Sequence, residues 1–229
     1  MLSAPPEAMD PAKPTRRRGY GGRSAQALML ERRQRLLEAG LTLFSSQGYQ
    51  KTRIEALCSE ARVTTRHFYE QFATREDLLV ALYDQVVAQA RDKVQAALQM
   101  TDQAPQALIS EALRTFVRAY TDDPRHARLA CIEVVGVSEA MARRRRAVIN
   151  EFASLVEAYA NVMAQAGLLP RRNYRLVCVG LVGAVNELMR EWLTSANPPG
   201  VAELSDELVV MFEALILGAQ AMSKQAGIE

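Results

Sequence analysis

The sequence predicts an all-α protein of 229 residues. Three observations carry that prediction: apolar residues recur at helical spacing along most of the chain, capping residues precede these stretches, and glycine or proline breakers follow them. The expected organisation is an N-terminal three-helix domain with a helix-turn-helix, followed by a larger helical domain. We place the boundaries at a basic arm over residues 1–23, a first domain over 24–73 and a second over 74–229.

The N-terminal arm is rich in proline, glycine and arginine, including Arg16-Arg17-Arg18. Its low apolar content predicts disorder in the free protein. It is interpreted either as a solvated tail or as an arm that places arginines in the DNA minor groove. Residues 1–79 carry 13 lysines and arginines against 9 acids, a modest basic bias of the kind DNA-binding segments show.

After the arm, an uninterrupted helical pattern runs from Ser24 to about Gln47, and Gly48 is expected to end it. The next stretch, Thr52 to Phe72, contains two shorter patterns. Ile54, Leu57, Cys58 and Ala61 follow helical spacing, and Thr64 is a suitable N-cap for a second helix whose inward residues are Phe68 and Phe72. Two short helices joined by a tight connection predict a helix-turn-helix, whose second helix enters the DNA major groove.

The expected outward residues of that second helix all form hydrogen bonds. Arginine pairs with guanine, threonine contacts bases or thymine methyl groups, and tyrosine or histidine reaches phosphates. We therefore predict base reading by Thr64, Thr65, Arg66 and His67, and phosphate contacts by Thr52, Arg53, Tyr69 and Arg75. The partner is expected to be double-stranded DNA.

From about Arg33 to Leu82 the chain resembles the TetR family of bacterial transcriptional regulators. The resemblance rests on a linked string of residues in order and spacing: Leu36–Ala39, Leu43-Phe44, Gly48-Tyr49, Thr52, Leu57, Ala61, Val63-Thr64, Phe68-Tyr69, Phe72 and Thr74–Leu79. It implies a ligand-responsive regulator, with repression as the usual mode. Arg62 and Arg66 occupy positions where the family often has glycine. Arg62 therefore either adopts a strained positive φ or shapes the turn differently, and it is itself a candidate DNA contact.

The second domain is predicted to be a series of helices. Thr74 and Asp77 resemble a capping box for a long helix from Arg75 to about Met100. Further helices are expected from Pro105 to about Tyr120, from Asp122-Asp123-Pro124 to about Val137, and from Ser138 to about Ala166, where Gly167 follows. The run Arg143–Arg146 is interpreted mainly as a solvated helix face.

The last two helices, residues 174 to 195 and the stretch after Pro198-Pro199-Gly200, are apolar over much of their circumference. Helices of this kind must be covered on two sides. Either the chain covers one side and a second subunit covers the other, or the two helices form a hairpin that lies entirely inside the chain. The family resemblance implies a homodimer built on these helices. The candidate interface residues are Leu181, Val185, Leu188, Leu208, Phe212, Leu215 and Ile216. A two-fold dimer would recognise an inverted repeat.

The resemblance also implies a ligand pocket within residues 75–196. Aromatic and flexible apolar residues in that region suggest an apolar effector. The pocket candidates are Phe116, Tyr120, Tyr159, Met163 and Trp192. Each of them is equally suited to a plain hydrophobic core.

An enzyme is not expected, because the chain has two histidines, no metal-ligand cluster and no nucleophile motif. No cofactor or metal is predicted. Three separated cysteines suggest buried thiols in a reducing compartment, and no apolar run has the length of a membrane span, so we expect a cytoplasmic protein. The alternative to a DNA-binding regulator is a helical dimer that senses a ligand or binds a protein without using DNA.

Overall fold

The computed structural model describes residues 24–99 and 104–226. The all-α expectation is confirmed: the described residues form nine α-helices and one π-helical turn, and no strand occurs among them. The α-helices are α1 (Ala25–Gln47), α2 (Ile54–Ala61), α3 (Thr65–Tyr69), α4 (Arg75–Leu98), α5 (Pro105–Thr121), α6 (Pro124–Arg128), α7 (Glu139–Gln165), α8 (Arg175–Thr194) and α9 (Val201–Ala226). The predicted N-terminal arm lies outside the described residues.

Helices α1 to α3 form a compact unit around one apolar cluster. Ser24 caps α1 by accepting a hydrogen bond from the amide of Ala27, and Gly48 ends the helix with a φ of 92°. Phe44 of α1, Leu57 of α2 and Phe68 of α3 have no exposed surface. Each of the three helices contributes a fully buried side chain. The relative orientation of the helices is therefore fixed by packing rather than by helix propensity.

Helix α4 connects this unit to the rest of the chain. The predicted capping box is present, since Thr74 and Asp77 each accept a hydrogen bond from the other's backbone amide. The first turns of α4 bury Leu78 and Leu79, which have no exposed surface, and later turns bury Val86 and Val87. These residues belong to one continuous hydrophobic cluster, so the structure offers no gap at residue 73 and that domain boundary stays a prediction.

The helix expected to run to about Val137 ends earlier. Asp123 caps α6, and after Arg128 the chain continues as the π-helical turn Leu129–Glu133. The turn buries Leu129, Ala130 and Cys131, while Val135 is exposed. A π-helical turn holds one residue more than an α-helical turn, and here it carries Glu133 to the end of α1.

The remaining helices form a bundle. Ser138 caps α7, and Gly167 follows its end with a φ of 73°. Helix α7 packs against α8, and α5 packs against α4 and α9. Within residues 24–99 and 104–226, no helix has the length and apolarity required to cross a membrane.

Candidate nucleic-acid interface and ligand cavity

The turn between α2 and α3 has the left-handed conformation that glycine favours. Arg62 adopts φ 52° and ψ 48° and is the single non-glycine residue with positive φ in the described part of the chain. The amide of Val63 donates to the carbonyl of Cys58 at 3.0 Å, which closes the turn. Of the two alternatives for Arg62, the structure has the strained one, at a cost of about 1 kcal/mol relative to glycine.

Helix α3 is fixed by its N-cap and its buried apolar face, and its opposite face is exposed to solvent. Thr64 caps it by accepting from the amide of His67, and Phe68 packs against Phe72 with ring centroids 5.9 Å apart. Thr65 and Arg66 are exposed, and Tyr69 is 56% exposed. The polar residues of α3 thus project from a helix whose apolar face is fully buried.

Two side chains of α3 have partners at the residues that flank the helix. Nε of Arg66 lies 3.1 Å from Oε1 of Glu70, and Nδ1 of His67 lies 2.9 Å from the Thr64 hydroxyl. An ion pair between exposed side chains contributes little to stability, so Arg66 can leave Glu70 for a nucleic-acid acceptor at small cost. Arg53, at the start of α2, and Arg62 are also exposed.

The phosphate role predicted for Thr52 is wrong. Its side chain has no exposed surface; its hydroxyl donates to the carbonyl of Gly48 at 2.8 Å and accepts from the Gln47 amide at 3.3 Å. Thr52 therefore stabilises the α1–α2 connection. Arg75 also has contacts within the chain, because its guanidinium donates to the Thr52 carbonyl and lies 4.2 Å from the ring centroid of Tyr49.

A polar contact that the sequence analysis missed joins α1 to the π-helical turn. A carboxylate oxygen of Glu133 accepts from the amide of Tyr49 at 2.8 Å, and the other oxygen lies 3.3 Å from Nε of Arg128. Nearby, Arg125 donates to Glu38 at 2.8 Å on α1. The one feature of the sequence that could have indicated this contact is the acidic residue Glu133 within an otherwise apolar run.

Arg125 also fixes the start of α6. Its guanidinium donates to both carboxylate oxygens of Asp123, and these bonds lower the pKa of that carboxyl group. The Asp123 carboxylate thereby stays ionised while it caps α6 and orients Arg125 toward α1.

A cavity of about 350 Å³ lies among α5, α7, α8 and α9 and reaches the end of α4. Its lining is apolar apart from two tyrosine hydroxyls and a single charged residue, Arg172. Three of the predicted pocket residues line it: Phe116, Tyr159 and Met163. A concave, mostly apolar cavity of this size is typical of a site for a small organic molecule.

Two of the predicted pocket residues do not line the large cavity. Trp192 does not line the cavity; its ring nitrogen donates to the carbonyl of Pro199 at 2.8 Å and holds the chain between α8 and α9. Tyr120 is 5% exposed and faces a second, smaller cavity. Burial raises its pKa, so its hydroxyl stays protonated.

The residues predicted for the dimer interface differ in how deeply they are buried within the chain. Leu208, Val185 and Phe212 are buried within the chain itself, and Val185 and Phe212 line the large cavity, so the structure does not favour them as partner contacts. Leu181 and Ile216 are partly buried at the cavity wall. Leu188 is 40% exposed and Leu215 is 48% exposed, and both remain candidates for contact with a second subunit.

Fold and site together define an all-α helix-turn-helix protein whose second half encloses an apolar cavity. The family described as bacterial regulatory proteins, tetR family, matches residues 36–82. The chain is 27% identical over 128 residues to the HTH-type transcriptional regulator RutR of Escherichia coli strain K12. The aligned segment covers 54% of this chain and 59% of RutR. The resemblance to the TetR family is therefore confirmed over residues 36–82.

Two solved structures share the fold. The transcriptional regulator FadR of Bacillus subtilis in complex with stearoyl-CoA superposes with a TM-score of 0.67 at 14% identity, over 78% of this chain and 96% of FadR. AibR in complex with isovaleryl coenzyme A and operator DNA superposes with a TM-score of 0.62 at 17% identity, over 79% of this chain and 97% of AibR. At these identities the likeness extends to the fold and no further.

Proposed function

We propose that this protein is a sequence-specific DNA-binding regulator of transcription. The observation that carries the proposal is α3, which exposes Thr65, Arg66 and Tyr69 while Phe68 anchors it to a buried core. A rigid helix with outward hydrogen-bonding side chains suits base reading in the major groove. Arg53 and Arg62 flank it as further DNA contacts, and a regulator of this kind acts on DNA in the cytoplasm.

The regulator is proposed to act as a homodimer on an inverted repeat. Two recognition helices enter successive major grooves only if they lie about 34 to 36 Å apart, and a two-fold dimer sets that distance. Exposed apolar side chains on α8 and α9, among them Leu188 and Leu215, support a contact with a second subunit.

A small molecule with an apolar part is proposed to occupy the large cavity. Because AibR and FadR, which share the fold, were solved with acyl-coenzyme A molecules, an acyl group is one candidate for that part. A ligand that binds better to a conformation with unsuitable helix spacing weakens DNA binding by its differential affinity. The proposed outcome is release of a repressor from its operator.

The test is a double substitution, Arg66→Ala with Tyr69→Ala, set against Arg143→Ala. Arg143 is exposed on α7 and pairs with Glu139, so its loss controls for the loss of a surface arginine. The double variant should remain dimeric by light scattering and lose at least about 100-fold in affinity for selected duplexes, since the Arg66 base contact is worth about 1–3 kcal/mol in each half-site and the phosphate contact predicted for Tyr69 is lost as well. Unchanged affinity for every duplex would favour a ligand-sensing or protein-binding dimer that does not use DNA.

A further inference from the structure

A second cavity of about 20 Å³ lies beside the large one, among α4, α5, α7, α8 and the π-helical turn. Its lining differs in character, because it includes Arg145, Asn186 and the tyrosines Tyr83 and Tyr120. A volume of about 10–15 Å³ is enough for one water molecule, so this cavity admits an oxygen-bearing group.

Arg145 is the charged residue of this lining. Within the run Arg143–Arg146 it differs from Arg143 and Arg144 in having no partner in the described part of the chain, and from Arg146 in being partly buried. Arg143 pairs with Glu139, and Arg144 pairs with Asp84 and Glu151. Arg145 forms no ion pair or hydrogen bond with any of the described residues. A partly buried guanidinium is stabilised by a partner that supplies negative charge, and none of the described residues supplies that charge to Arg145.

The two tyrosines add hydroxyl donors at the same place. Tyr83 and Tyr120 are 4% and 5% exposed, and neither hydroxyl is hydrogen-bonded to another group within residues 24–99 and 104–226. Burial raises the pKa of both phenols, so both keep their protons. Two hydroxyl donors and one guanidinium around a small space match the acceptor oxygens of a carboxylate.

The two cavities are neighbours. Phe116, Phe152 and Val182 line both of them, and the rings of Phe116 and Phe152 meet edge to face with centroids 5.4 Å apart. Rotation of these rings would join the apolar space of about 350 Å³ to the polar space of about 20 Å³.

We propose that the two cavities take one ligand, an apolar carboxylic acid whose body fills the large cavity and whose carboxylate contacts Arg145, Tyr83 and Tyr120. The larger cavity, at about 350 Å³, lies in the size range of small-molecule pockets, which suits a chain of medium length. The regulatory consequence rests on the proposed function, whereas the binding site itself does not.

The position of the carboxylate suggests how the ligand would act on DNA binding. Tyr83 belongs to α4, which begins at the helix-turn-helix unit, and Ala130 of the π-helical turn also lines the small cavity. The same turn contacts α1 through Glu133. An anion bound there therefore touches both elements that connect the cavities to the DNA-reading unit.

The experiment is calorimetric titration of the full-length protein, without DNA, with octanoate, decanoate and dodecanoate. Decanoic acid methyl ester and decanoyl-CoA serve as ligands that lack the free carboxylate. The variant Arg145→Met is compared with Arg146→Met, because Arg146 is an exposed neighbour on the same helix. We expect Arg145→Met to weaken binding of the best acid by about 10- to 100-fold, as for loss of a hydrogen bond to a charged group, and Arg146→Met to leave it unchanged.

Tyr83→Phe and Tyr120→Phe remove one hydroxyl each and test the site if Arg145→Met does not fold. Each should weaken binding of the acid while leaving binding of the methyl ester unchanged. The proposal is overturned if no acid of the series binds, if the ester binds as tightly as the acid, or if Arg145→Met has no effect. Tighter binding of decanoyl-CoA would also overturn it and would place the polar group at the outer end of the large cavity, near Arg172. Because no DNA is present, these results are independent of whether the protein regulates transcription.

Discussion

The two halves of the molecule bury their apolar residues in different ways. In the helix-turn-helix unit, Phe44, Leu57 and Phe68 are fully buried against one another and the outward face is polar. In the second half, apolar side chains surround an open space of about 350 Å³, and large apolar residues such as Leu215 and Leu217 are exposed on α9. The first half is complete within one chain. The second half has an unfilled interior space of a size suited to a ligand, and exposed apolar side chains that a partner chain would cover.

This difference follows from what each half is proposed to do. A helix that reads bases must be held in one orientation, which dense packing provides. A ligand site needs unfilled volume, and unfilled volume lowers stability because the lining side chains lose neighbours. We therefore expect the second half to contribute less stability per buried side chain than the first.

The largest expected effect comes from truncating one leucine in each half: Leu57, which is fully buried, and Leu155, which is partly buried. Leu57→Ala should lower the free energy of unfolding by about 3–5 kcal/mol, since it leaves a cavity in a packed core. Leu155→Ala, at the wall of the large cavity, should cost about 1–2 kcal/mol, because that side chain already lacks neighbours on one side. Urea denaturation followed by circular dichroism measures both. Equal losses would contradict the contrast between the halves.

The next largest effect concerns the exposed apolar surface of the second half. Leu188→Lys with Leu215→Lys should weaken dimerisation at least about 100-fold, because two charges would be buried without partners. Analytical ultracentrifugation over a range of concentrations gives the dissociation constant. Val135→Lys, an exposed apolar residue after the π-helical turn, is the matched control and should have no effect. A double variant that dimerises like the unchanged protein would remove these helices from the interface.

A smaller effect is expected where the two halves meet. Glu133→Ala leaves the Tyr49 amide without its acceptor, so unfolding should become easier by about 1–3 kcal/mol. Ligand binding should then change DNA affinity less than in the unchanged protein, because a contact between the halves is lost. Glu139→Ala removes an exposed acid and should change stability by less than about 0.5 kcal/mol. Full ligand response in Glu133→Ala would show that this contact does not couple the halves.

The smallest effect is predicted at the turn of the helix-turn-helix. Arg62→Gly should raise stability by about 1 kcal/mol, because glycine adopts positive φ without strain. Glu60→Gly, at an exposed position of α2, should instead lower it by about 1 kcal/mol. Thermal denaturation of both variants checks the signs. A destabilised Arg62→Gly variant would mean that the arginine side chain forms contacts worth more than the strain.

Local signals predicted the helices well because they act over three or four residues. The predicted caps at Thr64, Thr74 and Ser138 each accept a hydrogen bond from the backbone amide three residues on, and Gly48 and Gly167 follow helix ends with positive φ. The π-helical turn was missed because an extra residue per turn leaves no signature in a short apolar run. Glu133 was missed for a different reason: its partner, Tyr49, is 84 residues away, beyond the reach of local patterns.

The site was harder to predict than the fold because residue type does not reveal burial. A threonine before α2 suits either a phosphate or the Gly48 carbonyl, and the structure gives Thr52 the latter. Helical spacing placed Trp192 and Tyr159 in the same region, but only Tyr159 reaches the large cavity. Likewise, the apolar pattern of α9 did not separate Leu208, which is buried in the chain, from Leu215, which is not.

The most direct test of the central claim is selection of tight binders from a pool of random duplexes with the full-length protein, repeated at two salt concentrations. The account predicts enrichment of an inverted repeat with half-sites about one helical turn apart and an affinity that falls steeply with salt. It further predicts that the Arg66→Ala and Tyr69→Ala double variant enriches nothing. A folded dimer that enriches no sequence, with or without added ligand, would contradict the claim that α3 reads DNA.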